Sequence, residues 1–132
     1  MPTLAQGRFE IKLNPLPPYN TDPDARLARL SIDKQFEGDL AATSQGEMLS
    51  AQGRVEGSAG YVALERVSGT LHGRRGTFVL QHNGLMTRGA PSLTVTVVPD
   101  SGTGELVGLA GQMAIIIVDG QHSYEFAYTL PQ

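Results

Sequence analysis

A carboxylate and an imidazole, Glu65 and His82, lie in neighbouring apolar segments of this 132-residue sequence and are the pair best suited to acid–base chemistry. In both segments most of the residues at alternate positions are apolar, and Glu65 and His82 occupy positions of the same set. If the segments are β-strands, Glu65 and His82 therefore lie on the apolar face. A carboxylate buried there is costly unless it is paired or put to chemical use. We therefore predict Glu65 and His82 as catalytic residues, with Glu65 as base or electrostatic stabiliser and His82 setting its protonation state.

A purely structural role is the alternative for this pair, and for His82 it is the commoner one. A histidine beside a buried carboxylate often does no more than satisfy the hydrogen-bonding capacity of that carboxylate. Burial would raise the pKa of Glu65, whereas a cationic His82 would lower it. The direction of the net shift therefore stays open at this point.

The element that has to bring the pair together is a hairpin, predicted over Ser58–His82 with a glycine-flanked turn. Pairing Gly73 with Gly76 places Glu65 and His82 on diagonal positions of adjacent strands, within contact distance of each other. The face that holds both is the predicted interior and consists of Tyr61, Ala63, Glu65, Val67, Leu71, Phe78, Leu80 and His82.

A second hairpin is predicted over Ala114–Tyr128, because Asp119-Gly120 suits a tight type I′ turn between two alternating segments. This turn pairs Ile117 with His122 and places His122 on the bulky face of the hairpin, but we expect His122 to be exposed because it lies beside the turn. If the bulky faces of both hairpins point inward, the interior can hold a small ligand. The predicted ligand contacts are Tyr61, Phe78, Leu80, Tyr124, Phe126 and Tyr128. An ordinary packed core is the alternative, and for the tyrosines it is the commoner role.

Further alternating segments, set apart by Gly and Pro, complete an all-β sequence. Gly7–Leu13 alternates most cleanly, Ser31–Phe36 alternates over a shorter length, and Gly38–Ser50 is a small, polar strand candidate. The Pro-rich stretch Asn14–Asp24 is predicted as an irregular loop. About eight strands with little helix favour a single closed antiparallel β-barrel domain over residues 1–132, because closure removes exposed sheet edges. A β-sandwich is the alternative.

Composition excludes several classes of function. A net charge of −3 without a run of one sign argues against nucleic-acid or membrane partners. The absence of Cys removes disulfides, thiolate zinc sites and catalytic thiols, and fits a cytoplasmic location. The histidines lack metal-site spacing, and the Gly-rich segment Ser101–Gly108 lacks the spacing of a dinucleotide-binding loop. We therefore predict no metal and no cofactor.

Several motifs, spread over Gly7–Tyr128, resemble a bacterial family of small single-domain proteins of unknown function. They are FEGDL at 36–40, GYVALERV at 60–67, GTLHG at 69–73, GTFVLQH at 76–82 and SGTGEL at 101–106. The resemblance implies an allene oxide cyclase-like (calycin-like) β-barrel, assembled as a homodimer or higher homo-oligomer. It implies no activity. The motifs of the plant cyclases do not match this sequence, so none of their catalytic residues can be transferred, and a carboxylate inside an apolar barrel is an analogy only.

Two functions from different classes follow. In the first, the barrel binds a small apolar molecule in its interior and, as an enzyme, isomerises or cyclises it. In the second, a filled barrel acts as a non-catalytic homo-oligomeric module. The second is favoured by apolar residues on the predicted outer faces of the two hairpins, which are Val62, Leu64, Val79, Ile116 and Val118.

Overall fold

The chain forms a closed barrel of eight antiparallel strands, as described by a computed structural model for residues 1–131. Each strand pairs with the next one along the chain, and the last strand pairs with the first. The strands are β1 (Thr3–Leu16), β2 (Leu27–Gly38), β3 (Leu40–Gln52), β4 (Ala59–Leu71), β5 (Arg74–Thr87), β6 (Ala90–Val97), β7 (Ala110–Val118) and β8 (Gln121–Thr129). The predicted antiparallel barrel is confirmed, and the alternative β-sandwich is wrong.

The connection between β1 and β2 is shorter than predicted. Strand pairing continues through Pro15, which lies opposite Leu30, so the irregular loop begins only after Leu16. The loop ends in a single 3-10 turn over Pro23–Ala25, in which the Asp22 side chain accepts a hydrogen bond from the Asp24 amide at 2.9 Å. Pairing with the neighbouring strand thus overrides the local preference of proline in β1.

The turn of the central hairpin lies two residues earlier than the pairing of Gly73 with Gly76 requires, so the cross-strand partner of each residue shifts by four. The turn residues are His72 and Gly73, with φ angles of 47° and 81°, and Phe78 faces Val67 instead of Leu71. Two left-handed residues match the twist of the flanking strands, which explains why the two-residue turn forms at His72-Gly73 rather than at Arg74-Arg75. Because the shift is even, every side chain keeps its predicted face.

The C-terminal hairpin has the predicted register. Asp119 and Gly120 form the turn with φ angles of 53° and 77°, and Ile117 lies opposite His122. By contrast, β6 and β7 share a single residue pair, Thr96 with Gln112, and a long connection with a 3-10 turn at Gly104–Leu106 follows β6. No helix within residues 1–131 is long and apolar enough to cross a membrane.

The two ends of the barrel differ in how their interior is occupied. The turns at Gly38–Asp39 and His72–Gly73 mark one end, which we call the filled end, and those at Arg88–Gly89 and Asp119–Gly120 mark the open end. Phe78 and Phe126 stack at the filled end with ring centroids 5.8 Å apart. Other buried apolar residues that belong to this core are Phe36, Leu40, Leu71, Leu106 and Leu109.

Close approach of β3 and β4 requires a glycine beside the predicted catalytic carboxylate. A Cβ atom on Gly46 would lie 1.9 Å from the Leu64 carbonyl oxygen and 2.6 Å from the Cα atom of Glu65. Both contacts are with backbone, so only movement of a strand could relieve them. Gly46 therefore allows β4 to carry Glu65 into the barrel at this height.

We expect Gly46→Ala to lower the free energy of unfolding by about 1–3 kcal/mol, because the added methyl group forces the two strands apart. Urea unfolding followed by circular dichroism measures the change. Thr43→Val, on the exposed face of the same strand, is the control and should change stability by no more than about 0.5 kcal/mol. Equal stability of Gly46→Ala and the wild type would contradict the close approach of the strands.

Candidate functional site

The structure brings the two predicted catalytic residues into direct contact. The Nε2 atom of His82 lies 2.5 Å from Oε2 of Glu65, and both side chains are buried. Glu65 pairs with Leu80 and His82 pairs with Ala63, so the two remain diagonal neighbours despite the shifted register. In the predicted register His82 lies two residues before the partner of Glu65, and in the observed register it lies two residues after that partner. Both are diagonal positions, which explains why the contact forms in either register.

Two further residues, Lys34 and Ser44, complete the surroundings of the carboxylate and were not predicted. The Lys34 ammonium lies 2.7 Å from Oε2 of Glu65, and the Ser44 hydroxyl donates to Oε1 at 2.6 Å. Lys34 is only 5% exposed, Ser44 2% and Glu65 1%. The three residues and His82 come from four consecutive strands, β2 to β5. We call this group the Glu65 network.

Strand alternation already contained the signal for both missed residues. Lys34 stands between Ile32 and Phe36 on the inward face of β2, and Ser44 follows Leu40 and Ala42 at the inward positions of β3. The usual expectation that lysine and serine are exposed concealed this pattern. A charged residue at an inward position of a strand indicates a partner inside the barrel.

The environment of Glu65 lowers its pKa to about 2. Burial acts to raise the pKa, but it is outweighed by hydrogen bonds from His82, Lys34 and Ser44 together with the positive charge of Lys34. A carboxylate with so low a pKa is ionised at neutral pH and accepts protons poorly. The geometry therefore favours Glu65 as electrostatic stabiliser over Glu65 as general base.

A cavity of about 510 Å³ occupies the open end of the barrel, next to the Glu65 network. Its walls are mainly apolar and include Phe9, Ile32, Met48, Leu85 and Ile115. The buried side chains of Lys34 and His82 also line it, which puts the charged network at its inner limit. Polar groups are thus concentrated at one place in an apolar cavity.

Tyr61 joins the cavity to the Glu65 network. Its hydroxyl lies 3.2 Å from Nδ1 of His82, and its ring lines the cavity. Burial and the negative charge of Glu65 raise the pKa of Tyr61, so the hydroxyl stays protonated and available for hydrogen bonding. Of the six predicted ligand contacts, Tyr61 is the one that lines this cavity.

The other five predicted contacts, Phe78, Leu80, Tyr124, Phe126 and Tyr128, do not line the cavity but belong to the buried core. The Tyr124 hydroxyl donates to the Glu37 carbonyl and accepts from the Leu40 amide, each at 2.9 Å, and so fastens the filled end. Tyr128 contacts His72 at the same end. These residues point inward as predicted, but alternation predicts only a face and contains no information about height along the barrel.

The prediction that His122 is exposed is wrong. His122 is half-buried, its ring centroid lies 5.3 Å from that of Phe9, and it lines the cavity. Its position beside a tight turn suggested exposure, yet the turn lies at the rim of the open end, where the side chain still points inward.

Within residues 1–131, no group of three or more His, Cys, Asp or Glu side chains is placed to hold a metal ion.

We expect ionised Glu65 to make stability depend on acidity below the ordinary glutamate range. Its pKa falls from 4.5 to about 2 on folding, which corresponds to on the order of 3 kcal/mol of stability. Because the folded-state pKa is the lower one, this contribution is fully present above about pH 4.5 and is lost as the pH falls towards 2.

Urea unfolding of wild type and Glu65→Gln at a series of pH values tests this expectation. The variant is less stable at neutral pH, because it leaves Lys34 without its counter-ion, but it should lose less stability across the acidic range. Glu10→Gln replaces an exposed carboxylate and should keep the wild-type dependence. Parallel acid profiles for wild type and Glu65→Gln would contradict the lowered pKa.

Comparison with known proteins agrees with the resemblance found in the motifs. A family model described as protein of unknown function (DUF3224) matches residues 5–128. A crystal structure of a protein with unknown function from the DUF3224 family, from Shewanella oneidensis MR-1, is 53% identical in sequence, with a TM-score of 0.95. The similarity covers 100% of this chain and 99% of that one. No curated protein matches the sequence. Since the family model spans almost the whole chain, this protein belongs to the DUF3224 family of proteins of unknown function.

Proposed function

We propose that the protein binds a small, mostly apolar molecule in the cavity at the open end of the barrel. Lys34, Tyr61 and His82 orient the polar group of this molecule, and the apolar walls hold the remainder. The observation that carries the proposal is the cavity of about 510 Å³ with the buried Glu65 network at its inner limit. The proposal places the protein in the cytoplasm, as its composition suggested, with no nucleic-acid or membrane partner.

The size and lining of the cavity support a small ligand. Its volume falls within the range of about 300–1,000 Å³ that is typical of small-molecule sites. Burial of apolar ligand surface against such walls contributes roughly 25 cal/mol per Å². A few polar groups that converge at one place then determine the orientation of the ligand rather than supplying most of the affinity.

The cost of the Glu65 network supports a function at this place. Burying a charged pair commonly stabilises a fold less than apolar residues of similar volume would. Here the pair adjoins a cavity instead of being enclosed by the core, so its charges can act on a bound molecule. Glu65 holds the Lys34 ammonium in one position before any ligand arrives, which reduces the ordering that binding requires.

For an isomerisation or cyclisation within this proposal, we assign proton transfer to His82 rather than to Glu65. His82 lines the cavity, whereas Glu65 lies behind it with both carboxylate oxygens engaged. A carboxylate that orients an imidazole is a common arrangement for general acid–base catalysis. Glu65 then positions His82 and balances its charge, and Tyr61 orients the reacting molecule.

We expect Ser50→Phe to weaken binding of the neutral fluorescent probe N-phenyl-1-naphthylamine by about tenfold or more, because the new ring occupies the cavity. Fluorescence titration measures the affinity. Ser68→Phe adds the same ring on the exposed face of β4 and should bind the probe as the wild type does. Mass spectrometry of organic extracts should detect copurifying apolar molecules with the wild type and Ser68→Phe, but less with Ser50→Phe.

Failure of the wild type to bind the probe and to retain any small molecule would refute the proposal. Equal binding by wild type and Ser50→Phe would instead place the probe elsewhere on the protein, and the cavity would lose its support. Circular dichroism confirms that the two phenylalanine variants fold alike.

A homo-oligomeric module is the second candidate function, favoured by an apolar patch on the outer face of β3 and β4. Leu49, Val62 and Leu64 are each more than half exposed, and Leu49 lies directly opposite Val62. Of the other residues predicted on the outer surface, Ile116 and Val118 are exposed and Val79 is half-buried. Contiguous apolar side chains on a barrel surface are typical of a subunit interface.

We expect sedimentation velocity at micromolar concentration to show a dimer or larger species if this patch is an interface. Val62→Lys should then shift the protein to monomer, because Val62 lies opposite Leu49 and next to Leu64 on the same face, at the centre of the patch. Thr43→Lys, on the exposed face of β3 away from the patch, should keep the wild-type distribution. A monomeric wild type would remove this candidate without affecting the cavity.

A further inference from the structure

We propose that the ligand of the cavity carries one acidic group and binds together with one proton, which His82 takes up. The inference rests on the proposed function and names the chemical class of its ligand. It follows from the charges and hydrogen-bond donors of four residues, Lys34, Tyr61, Glu65 and His82.

The balance of charge at the inner limit of the cavity favours an acidic ligand that binds together with a proton. The formal charges of Lys34 and Glu65 cancel, so the buried network has no net charge while His82 is neutral. An acidic group brought next to it would add a negative charge without compensation, and such a charge is costly in an apolar cavity. A proton on His82 provides the compensation, because His82 lines the same cavity.

The direction of the hydrogen bonds along the network allows His82 to take up this proton. The Nε2 atom of His82 lies at the Glu65 carboxylate, which can only accept, so Nε2 carries a hydrogen. In a neutral ring Nδ1 must then accept, and the Tyr61 hydroxyl donates to it. Protonated His82 donates from Nδ1 instead, so the Tyr61 hydrogen is released to donate to a ligand.

The Lys34 ammonium has capacity for further hydrogen bonds. Within residues 1–131 its side chain makes one hydrogen bond, to Glu65, although an ammonium group has three N–H donors. The nitrogen otherwise lies 4.9 Å and 5.7 Å from the ring centroids of Phe9 and Phe36. Because Lys34 lines the cavity, a donor is available for an oxygen of an acidic group.

The surroundings of His82 single it out as the group that takes the proton. β4 contributes Glu65 and Tyr61, β2 contributes Lys34, and β6 contributes the apolar Val95 opposite His82. Across the cavity β8 contributes His122, which packs against Phe9 and makes no side-chain hydrogen bond in the part of the chain described. His122 is therefore the matched control for a second imidazole in the same cavity.

Isothermal titration calorimetry with 1-octanesulfonate and 1-octanol tests the inference on the 132-residue chain. The two probes share a chain and differ in the head group, and the sulfonate stays ionised, so any proton taken up goes to the protein. Titrations span about two pH units on either side of the ordinary histidine pKa of about 6.5 and use buffers of different ionisation heat.

We expect the sulfonate to bind more tightly than the alcohol and to lose up to about tenfold in affinity per pH unit at the alkaline end. There the buffer-dependent heat should correspond to one proton per bound sulfonate, whereas binding of the alcohol should not depend on pH. His82→Gln should abolish the proton uptake and lower the ratio of sulfonate to alcohol affinity, and His122→Gln should keep the uptake.

Tyr61→Phe serves if His82→Gln does not fold, as judged by circular dichroism. Loss of the hydroxyl should lower the ratio of sulfonate to alcohol affinity by about tenfold. Equal affinities for the two probes, or sulfonate binding without proton uptake, would overturn the inference while leaving the proposed function intact. Proton uptake that persists in His82→Gln would also overturn it. Failure of both probes to bind would count against the proposed function itself.

Discussion

The burial of one carboxylate constrains the interior of this barrel more than any other interaction. Glu65 can remain ionised away from water because a lysine, a histidine and a serine compensate it from three other strands. These contacts join four consecutive strands, β2 to β5, at one height. Burial of Glu65 at this position also requires glycine at position 46, because the backbone of β4 at Glu65 passes too close to Gly46 to leave room for a side chain.

The Glu65 network also lies between the two halves of the barrel interior. Beyond the network, stacked aromatic rings and aliphatic side chains occupy the filled end, and the Tyr124 hydroxyl ties together the backbone there. On the other side the walls stay apolar but enclose a cavity. The network thus lies between a packed core and a cavity, and Lys34, Tyr61 and His82 are its neighbours that face the cavity, whereas the carboxylate lies behind them.

Particular residues show how far sequence reasoning reaches. Alternation placed Glu65, His82 and Tyr61 on the inward face correctly, and the Asp119-Gly120 turn predicted the register of the last hairpin. The register of the central hairpin was wrong, because His72 adopts a left-handed conformation that is uncommon for residues other than Gly. This error did not change which side chains were predicted to point inward, because an even shift of the pairing keeps every side chain on the same face of the sheet. Lys34 was missed because a charged residue is usually expected to be exposed, although the alternation placed it on the inward face.

The sequence by itself determined which side chains point into the barrel, because the period of a strand and the chemistry of a tight turn are local properties. Only the tertiary structure decided at what height each inward residue lies, and hence that Lys34 and His122 line the cavity whereas Phe78 and Tyr128 belong to the core. The physical reason is that height depends on the stagger of every strand against the next around the closed barrel, which is a property of all eight pairings together.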